Sequence, residues 1–462
     1  MQEENSVAGM EMSGDLAGAY AKMLLTELGG SGHLLLPAQS QHSAFSAAHS
    51  GLMSLTGHAD SNAQLCPAPL ASCADGVLLA LQGLAPEAVV LPELRGSQLL
   101  TERAALMGLA RNGRIAPGGS CRLLDTLVGR IAINLAREED WRMLPAWLQT
   151  DALSGLADDW QALEQVLSKR PSADLLERGR LMGLAVAAEC LPSAADHWFQ
   201  VIARGPGSIR TTKTSVPLVL DLSSLWAGPL CGHLLQKLGA RVIKVESSSR
   251  PDGARGGNAD FYALLNEGKQ SLALDLKSLA GRAQLKRLIT QADIVIESAR
   301  PRGLRQMGIV AEELVARQPG LTWVSITGYG RAGEQADWVG FGDDAGVAAG
   351  LSGLMHAVTG ESLFVGDAIA DPLTGMHAAV AAWHSHINGG GALLSLALRD
   401  VTAHCAAFDL PGSEAALRER HEAWSNMVNP DDVQAPRPRY AAGTARQMGA
   451  DNAALFAEFK LD

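Results

Sequence analysis

The chain is poor in aromatic residues, at 5% of 462 positions, and has no basic excess: 38 Lys and Arg against 49 Asp and Glu leave a formal charge of −11. That balance argues against a broad nucleic-acid surface, which needs a cationic face, although local basic clusters can still bind a small phosphorylated ligand. There is no C-x-x-C and no Cys/His cluster at metal-ligand spacing, so no metal site is expected. The six cysteines, Cys66, Cys73, Cys121, Cys190, Cys231 and Cys405, read as reduced and mostly buried thiols. No run of about 18 apolar residues occurs, and the acidic start MQEENSVAGMEM has neither the charged nor the apolar region of a signal peptide. A cytoplasmic chain without membrane contact is expected. With 47% hydrophobic residues there is material for a large core and two or three domains.

What is present is a domain begun twice. LAGAYAKMLLTELG (16–29) and WAGPLCGHLLQKLG (226–239) match at one constant offset, pairing Ala17 with Ala227, Gly18 with Gly228, Leu24 with Leu234, Leu25 with Leu235, Leu28 with Leu238 and Gly29 with Gly239. SGLMSLTG (50–57) then echoes SGLMHAVTG (352–360), and PLASCADG (69–76) echoes DAIADPLTG (367–375). Aligned on Gly76 and Gly375, the second copy has Asp371 where the first has Ser72. A repeat of a whole globular unit differs from a solenoid period, since each copy can build a core of its own. Here the first copy lacks the strands that separate the two echoes in the second.

From 214 onward the pattern is α/β. The apolar run VPLVLDLS (216–223), the helical spacing of Leu230, Leu234, Leu235 and Leu238 closed by Gly239, and the strand RVIKVE (241–246) form one strand–helix–strand unit. SLALDL (271–276), a helix over 278–291, DIVIES (293–298), a helix over 311–317 and LTWVSIT (321–327) continue the series as an open, doubly wound sheet. A Gly-rich passage over 328–354 reads as a functional loop. It precedes a helix around 372–386 and a strand ALLSLAL. Residues 410–445, rich in Pro and charge, read as an extended connection before a closing helix over 450–459. Residues 115–205 differ in character: a strand at GRIAINL, then three amphipathic helices, the first capped near Glu138, predict a small α+β unit. RGPGSIRTTKTS (204–215) reads as a linker.

The passages LDLSSLWAGPLCGHLLQKLGARVIKVE, SLALDLKS, ESARPRGLRQMGI, ITGYG, GLSGLM and DPLTGMHAAVAAW, in that order, resemble the class III CoA-transferase family, the group of formyl-CoA transferase, carnitine CoA-transferase and α-methylacyl-CoA racemase. The stretch from Gly113 to Pro192 resembles the family's small domain, and RQMGADNAALFAEF the close of its large one. The fold class implied is α/β, a doubly wound, Rossmann-like parallel sheet with a small α+β second domain. The expected organisation is an abbreviated, degenerate large-domain copy (1–110), the small domain (111–205), a linker (206–215), a full CoA-binding domain (216–408) and an extended connection with a closing helix (409–462).

By the resemblance, Asp371 is the nucleophile. A carboxylate there attacks the acyl-CoA thioester to give an anhydride, and the returning thiolate forms an aspartyl-CoA thioester that the acceptor acid takes over. Read from local chemistry alone, Asp before Pro-Leu-Thr-Gly is a helix N-cap, and both roles are compatible with a helix N-terminus that favours an anion. Asp367 is the neighbouring competitor. By family position Trp226, Ala227, Leu274, Lys277, Ala299, Arg300 and Met307 hold CoA. Arg300, Arg302 and Arg305 read equally as a solvated basic face. Gly118 and Gly119 fall near the family's mobile glycine loop, a plain turn being the other reading.

The departures matter too. Ser298-Ala299 stands where the family commonly has Asn-Phe, which removes a ring that could stack on adenine, and Ser247 replaces a basic residue or proline. Phe341-Gly342-Asp343-Asp344 lacks the histidine that the racemases use, so racemisation is disfavoured, and Asp343 and Asp344 read as a solvated turn. The expected activity is CoA transfer from an acyl-CoA to a carboxylic acid, with CoA as substrate and no tightly bound cofactor. Acyl-CoA isomerisation and CoA binding without catalysis are the other readings. The expected assembly is an interlocked homodimer or a pseudo-dimer of the two halves within one chain.

Overall fold

The computed structural model describes residues 15–30, 41–86, 94–150, 158–193, 197–208 and 216–461. Among the described residues ten strands form two sheets. β1 (Cys121–Asp125), β2 (Arg130–Asn134) and β3 (Ala185–Ala188) make a small antiparallel sheet, and seven strands make a large one. These are β4 (Gln200–Arg204), β5 (Leu218–Asp221), β6 (Arg241–Ser247), β7 (Gln270–Leu274), β8 (Ile294–Glu297), β9 (Thr322–Thr327) and β10 (Ala392–Ala397), in the order β4-β10-β9-β8-β5-β6-β7. All neighbours run parallel except β4 against β10. The chain winds from β5 out to β7, then returns to the other side of β5 with β8. The crevice between the carboxyl ends of β5 and β8 is therefore the topological switch point, where open α/β sheets place ligands. Ser224 and Ser298 close its floor, the Ser224 amide donating to Ser298 Oγ at 3.0 Å.

The duplicated segments fold into matching helix pairs. α1 (Leu16–Glu27) packs on α2 (Leu70–Leu84), α3 (Ala227–Lys237) packs on α5 (Ala370–Ile387), and α2 meets α5. The glycine that anchored the alignment explains both crossings. A Cβ on Gly76 would stand 2.5 Å from the Ala17 carbonyl oxygen and one on Gly375 2.6 Å from that of Ala227, so each pair closes to a distance only glycine permits. Tyr20, Leu24, Leu25, Leu230, Leu234 and Leu235 are buried in one core shared by the two copies.

The small sheet follows the strand period of two. Leu124, Ile131, Ile133 and Val186 face Trp141, Trp147, Trp160 and Leu163 on the helices Glu138–Leu148 and Trp160–Leu167, whereas Cys121, Leu123, Ala132 and Ala187 face Val347 and Phe364 of the second half. Val347 lies on α4 (Gly342–Ala348).

Several expectations change. β4 lies in the stretch assigned to the small domain, but it pairs with β10 at the edge of the large sheet. The expected linker begins as an ordered crossing, with Gly205 and Ser208 donating to the carbonyls of Gly391 and Gly389; its residues 209–215 lie outside those described. The Gly-rich passage holds α4 and a helix over Leu351–Thr359. The connection expected to be extended contains a 14-residue helix, Glu414–Met427, capped by the Ser413 hydroxyl. Its prolines, Pro411, Pro430, Pro436 and Pro438, flank that helix and dominate the composition of a window that includes it.

Beneath the crevice Lys269 Nζ donates to Asp221 Oδ2 at 2.8 Å and Lys244 Nζ to Asp252 Oδ2 at 2.8 Å, all four side chains being buried. Burial works to raise the pKa of Asp221, but Lys244 and Lys269 outweigh it and hold the carboxyl down to about 2. Its contribution to stability is thus complete above its ordinary pKa and lost as pH falls toward 2. Lys269→Met takes from the buried Asp221 the cation that hydrogen-bonds it, leaving Lys244 alone, and should cost about 3–5 kcal/mol at pH 7. Urea titrations should show the gap from wild type narrowing between pH 4 and pH 2; a gap independent of pH would count against this reading.

Candidate active site

Asp371 sits in the first turn of α5, whose N-cap is Ile369 without a capping side chain, so the N-cap reading of Asp371 is corrected. Its amide donates to the Ala368 carbonyl at 2.9 Å. Ala368 has φ +42°, and Leu225, one residue before Trp226, has φ +70°. Two of the strained non-glycine residues therefore stand three positions before the expected nucleophile and one before the expected CoA residue, a placement typical of functional sites. The Ala368 turn is held by Asp343, whose Oδ1 accepts from the Ala368 amide at 2.8 Å.

Four carboxylates converge here. Asp343, Asp344 and Asp367 are buried, and Asp371 keeps part of its surface accessible. The solvated turn expected at Asp343 and Asp344 is the first turn of a buried helix, α4. Asp344 accepts from the Tyr329 hydroxyl and the Phe341 amide, each at 2.8 Å. Burial pushes Asp344 up to about 6 against the pull of Tyr329. Burial, reinforced by the charge on Asp367, pushes Asp343 up to about 7. Burial pushes Asp371 up to about 7 as well, opposed by Arg103 and aided by Asp344 and Asp367. Gly342 makes room for this, since a Cβ there would collide with Asp371 Oδ2 and with the Ala368 carbonyl. Among the described residues no group of three or more His, Cys, Asp or Glu is arranged to hold a metal ion.

The cation in this pocket is Arg103, which motif reading did not single out. It comes from the helix Glu102–Met107 in the first half. Its Nε and Nη2 donate to Asp367 Oδ2 and Oδ1 at 2.8 and 2.5 Å, and its guanidinium lies 5.4 Å from the centre of the Trp226 ring. Gly118 is the next neighbour: a Cβ on it would be 3.1 Å from Arg103 Nη2 and 3.7 Å from Asp367 Oδ1, while Gly119 has open space around it. Asp371, Asp367, Gly118 and Trp226 are thus gathered around one arginine, within a single chain.

The other expected CoA residues divide. Trp226 is buried with its Nε1 unpartnered among the described residues, and its ring meets Phe261 edge to face. Ala227 is buried at the α3–α5 crossing, Leu274 is buried in the core beside the sheet, and Met307 packs against that core. Lys277 is exposed beyond β7, at the sheet edge away from β8. Ala299 is exposed at the mouth of the crevice. Arg300 beside it donates weakly to the Asp337 carbonyl at 3.4 Å and lies near Gly183 of the small unit. Burial, then the like charges of Arg302 and Arg137, depress its pKa, so a bound anion there would be stabilised. Arg302 and Arg305 reach Asp337 and Glu312.

Raised carboxyl pKa values have a stability consequence. Between the ordinary pKa and about 7 the folded chain binds protons that the unfolded chain releases, so stability falls as pH rises through that window. Asp371→Asn removes one such group and should raise the Tm by about 2–4 °C more at pH 8 than at pH 5. Equal shifts at both pH values in thermal melts would contradict the assignment.

The family model described as CoA-transferase family III matches residues 217–441. Among curated proteins the chain is similar to the succinate–glutarate CoA-transferase of Agrobacterium fabrum, at 36% identity over 40% of this chain and 50% of that protein. It is also similar to the succinyl-CoA–D-citramalate CoA-transferase of Chloroflexus aurantiacus, at 32% over 39% of this chain and 48% of that one. The chain thus spans about half the length of these relatives. Among solved structures it matches a CaiB/BaiF family protein from Brucella suis at 33% identity and a TM-score of 0.36, over 41% of this chain and 54% of that one.

Proposed function

Because residues 217–441 belong to CoA-transferase family III, we propose that the chain transfers CoA from an acyl-CoA to a carboxylic acid with Asp371 as nucleophile. The observation that carries this reading is Asp371 itself, a partly accessible residue in the first turn of α5 with no side-chain ion pair among the described residues, its carboxyl beside Gly342 and under the influence of Arg103. A carboxyl poised near neutrality supplies an anion at working pH. The helix N-terminus offsets the charge, and loss of water strengthens both effects.

The sequence of bonds is balanced without a further reactant. An Asp371 oxygen attacks the thioester carbonyl, the carbon–sulfur bond breaks, and CoA thiolate leaves an acyl-aspartyl anhydride. The thiolate attacks the aspartyl carbonyl and expels the first acid as its carboxylate. The acceptor carboxylate then attacks the aspartyl-CoA thioester, and the thiolate returns to the acceptor's carbonyl, restoring Asp371. Gly118, beside Arg103 and Asp367, and Gly119, with open space around it, are suited to keep water from the anhydride. Arg300, with uncompensated positive charge at the crevice mouth, suits a CoA phosphate. We assign Trp226 to the thioester arm and Ala299 to the crevice mouth; Ala227, Leu274 and Met307 support the site from the core, and Lys277, at the far sheet edge, would be reached only by the outer end of CoA. Arg103 and Gly118 of the first half stand beside Asp367 of the second within one chain, which supports a site completed by the pairing of the two halves.

Incubation with a panel of acyl-CoAs, followed by intact-protein mass and hydroxylamine trapping, tests the reading. An adduct mapping to Asp371 supports it, and an unchanged mass across the panel overturns it.

A further inference from the structure

The pocket holds four carboxylates and one cation, and the cation is supplied by the half that lacks the nucleophile. Arg103 does more there than neutralise. Its fork on Asp367 fixes the residue just before the strained Ala368, four positions ahead of Asp371. Its face lies over Trp226, and a Cβ on Gly118 would come within 3.1 Å of its Nη2. The helix that carries it is itself tied down: Arg439 donates from Nε and Nη2 to the two oxygens of the adjacent Glu102 at 2.8 and 3.0 Å.

We propose that Arg103 is a positioning residue for Asp371, a cation delivered by the first half that fixes the 367–371 turn and keeps the carboxyl of Asp371 available as an anion. The inference rests on the transferase reading only for the purpose that the anion serves. The groups whose charges bear on Asp371 are Arg103, Asp344 from α4 and Asp367 from the preceding turn; Asp343, on α4, acts on Asp367 and Arg103, and Tyr329 and Cys121 adjoin the α4 pair. In such a site an opposite charge within reach moves a carboxyl by about 1–3 units, and its removal leaves like charges unopposed. Geometry adds a second effect, because a lysine keeps the charge but cannot make the two-pronged contact with Asp367.

The test uses the full chain labelled with [13C]aspartate, in which Asp371→Asn assigns the Asp371 carboxyl resonance. Its titration is followed in Arg103→Gln, Arg103→Lys, Asp367→Asn and the Arg103→Gln/Asp367→Asn double variant. Arg103→Gln should raise the midpoint by about one pH unit or more, which leaves about fivefold less ionised Asp371 at pH 7. Asp367→Asn should lower the midpoint, the double variant should return near wild type, and Arg103→Lys should keep the wild-type midpoint while slowing adduct formation. If Arg103→Gln does not fold, Asp367→Asn carries the same question. A purely structural arginine would reduce the amount of folded protein and leave the midpoints where they are, and that result overturns the proposal. The titration is read on the free chain, so shifted midpoints with no acyl adduct would overturn the transferase reading and leave the positioning role standing.

Discussion

Asp371→Asn is expected to abolish CoA exchange, lowering the rate by at least about 10⁴-fold, equivalent to about 5 kcal/mol of barrier, while the chain stays folded. The amide is nearly isosteric, so Gly342 and the Ala368 turn need not move. It cannot form the anhydride, and it carries no charge for Arg103 to stabilise. The two consequences separate cleanly. Activity should vanish, in exchange assays that follow label between acyl-CoA and free acid, while thermal stability at pH 8 should rise. Retention of even a hundredth of wild-type exchange would place the nucleophile elsewhere, with Asp367 the nearest alternative. Asp367 is ill suited to that role, because both of its oxygens are occupied by Arg103 and its side chain is buried.

The second large effect lies far from the chemistry. Valine at Gly375 would put a branched side chain against the Ala227 carbonyl and the Leu230 side chain, and at Gly76 against the Ala17 carbonyl and Tyr20. Neither helix pair can separate without disturbing the core that all four helices share. Each substitution should therefore cost about 3 kcal/mol or more, visible as a lower urea midpoint or as loss of soluble protein. The comparison between them is informative. If the first copy were a dispensable remnant, Gly76→Val would be tolerated and Gly375→Val would not. The matching geometry and shared core predict similar losses, and for Gly76→Val a fall in activity that follows the loss of folded chain.

The parallel strands from 218 to 397 and the helices Ala227–Lys237, Leu279–Ile289, Ala311–Arg317 and Ala370–Ile387 were readable because burial on both sides of a parallel sheet imposes short apolar runs and Gly239 marks a helix end, whereas the two helices of the Gly-rich passage were not. The Gly76–Gly375 correspondence was readable because close helix packing admits one residue type. Asp371 was identified through the resemblance and not through its neighbours. The neighbours escaped for physical reasons. Arg103 stands in TERAALMG, an ordinary amphipathic turn, and its meaning comes from Asp367, 264 positions away. Asp343 and Asp344 read as solvated because two adjacent carboxylates in a Gly-rich passage usually are. What keeps them inside is a hydrogen-bonded set, the Ala368 and Phe341 amides and the Tyr329 hydroxyl, that no local pattern reveals. Composition also hid the helix Glu414–Met427 behind its flanking prolines.

The antiparallel strand β4 has a practical consequence for dissecting the molecule. It precedes the large sheet in the chain but forms its outer border, so any division at residue 205 would carry that border away with the wrong piece. The remaining fragment would present the peptide groups of β10 as an open edge, and such an edge invites association between copies. A cut placed before residue 197 keeps the border strand with the sheet it shields, and this longer fragment should associate less than the one that begins after residue 205.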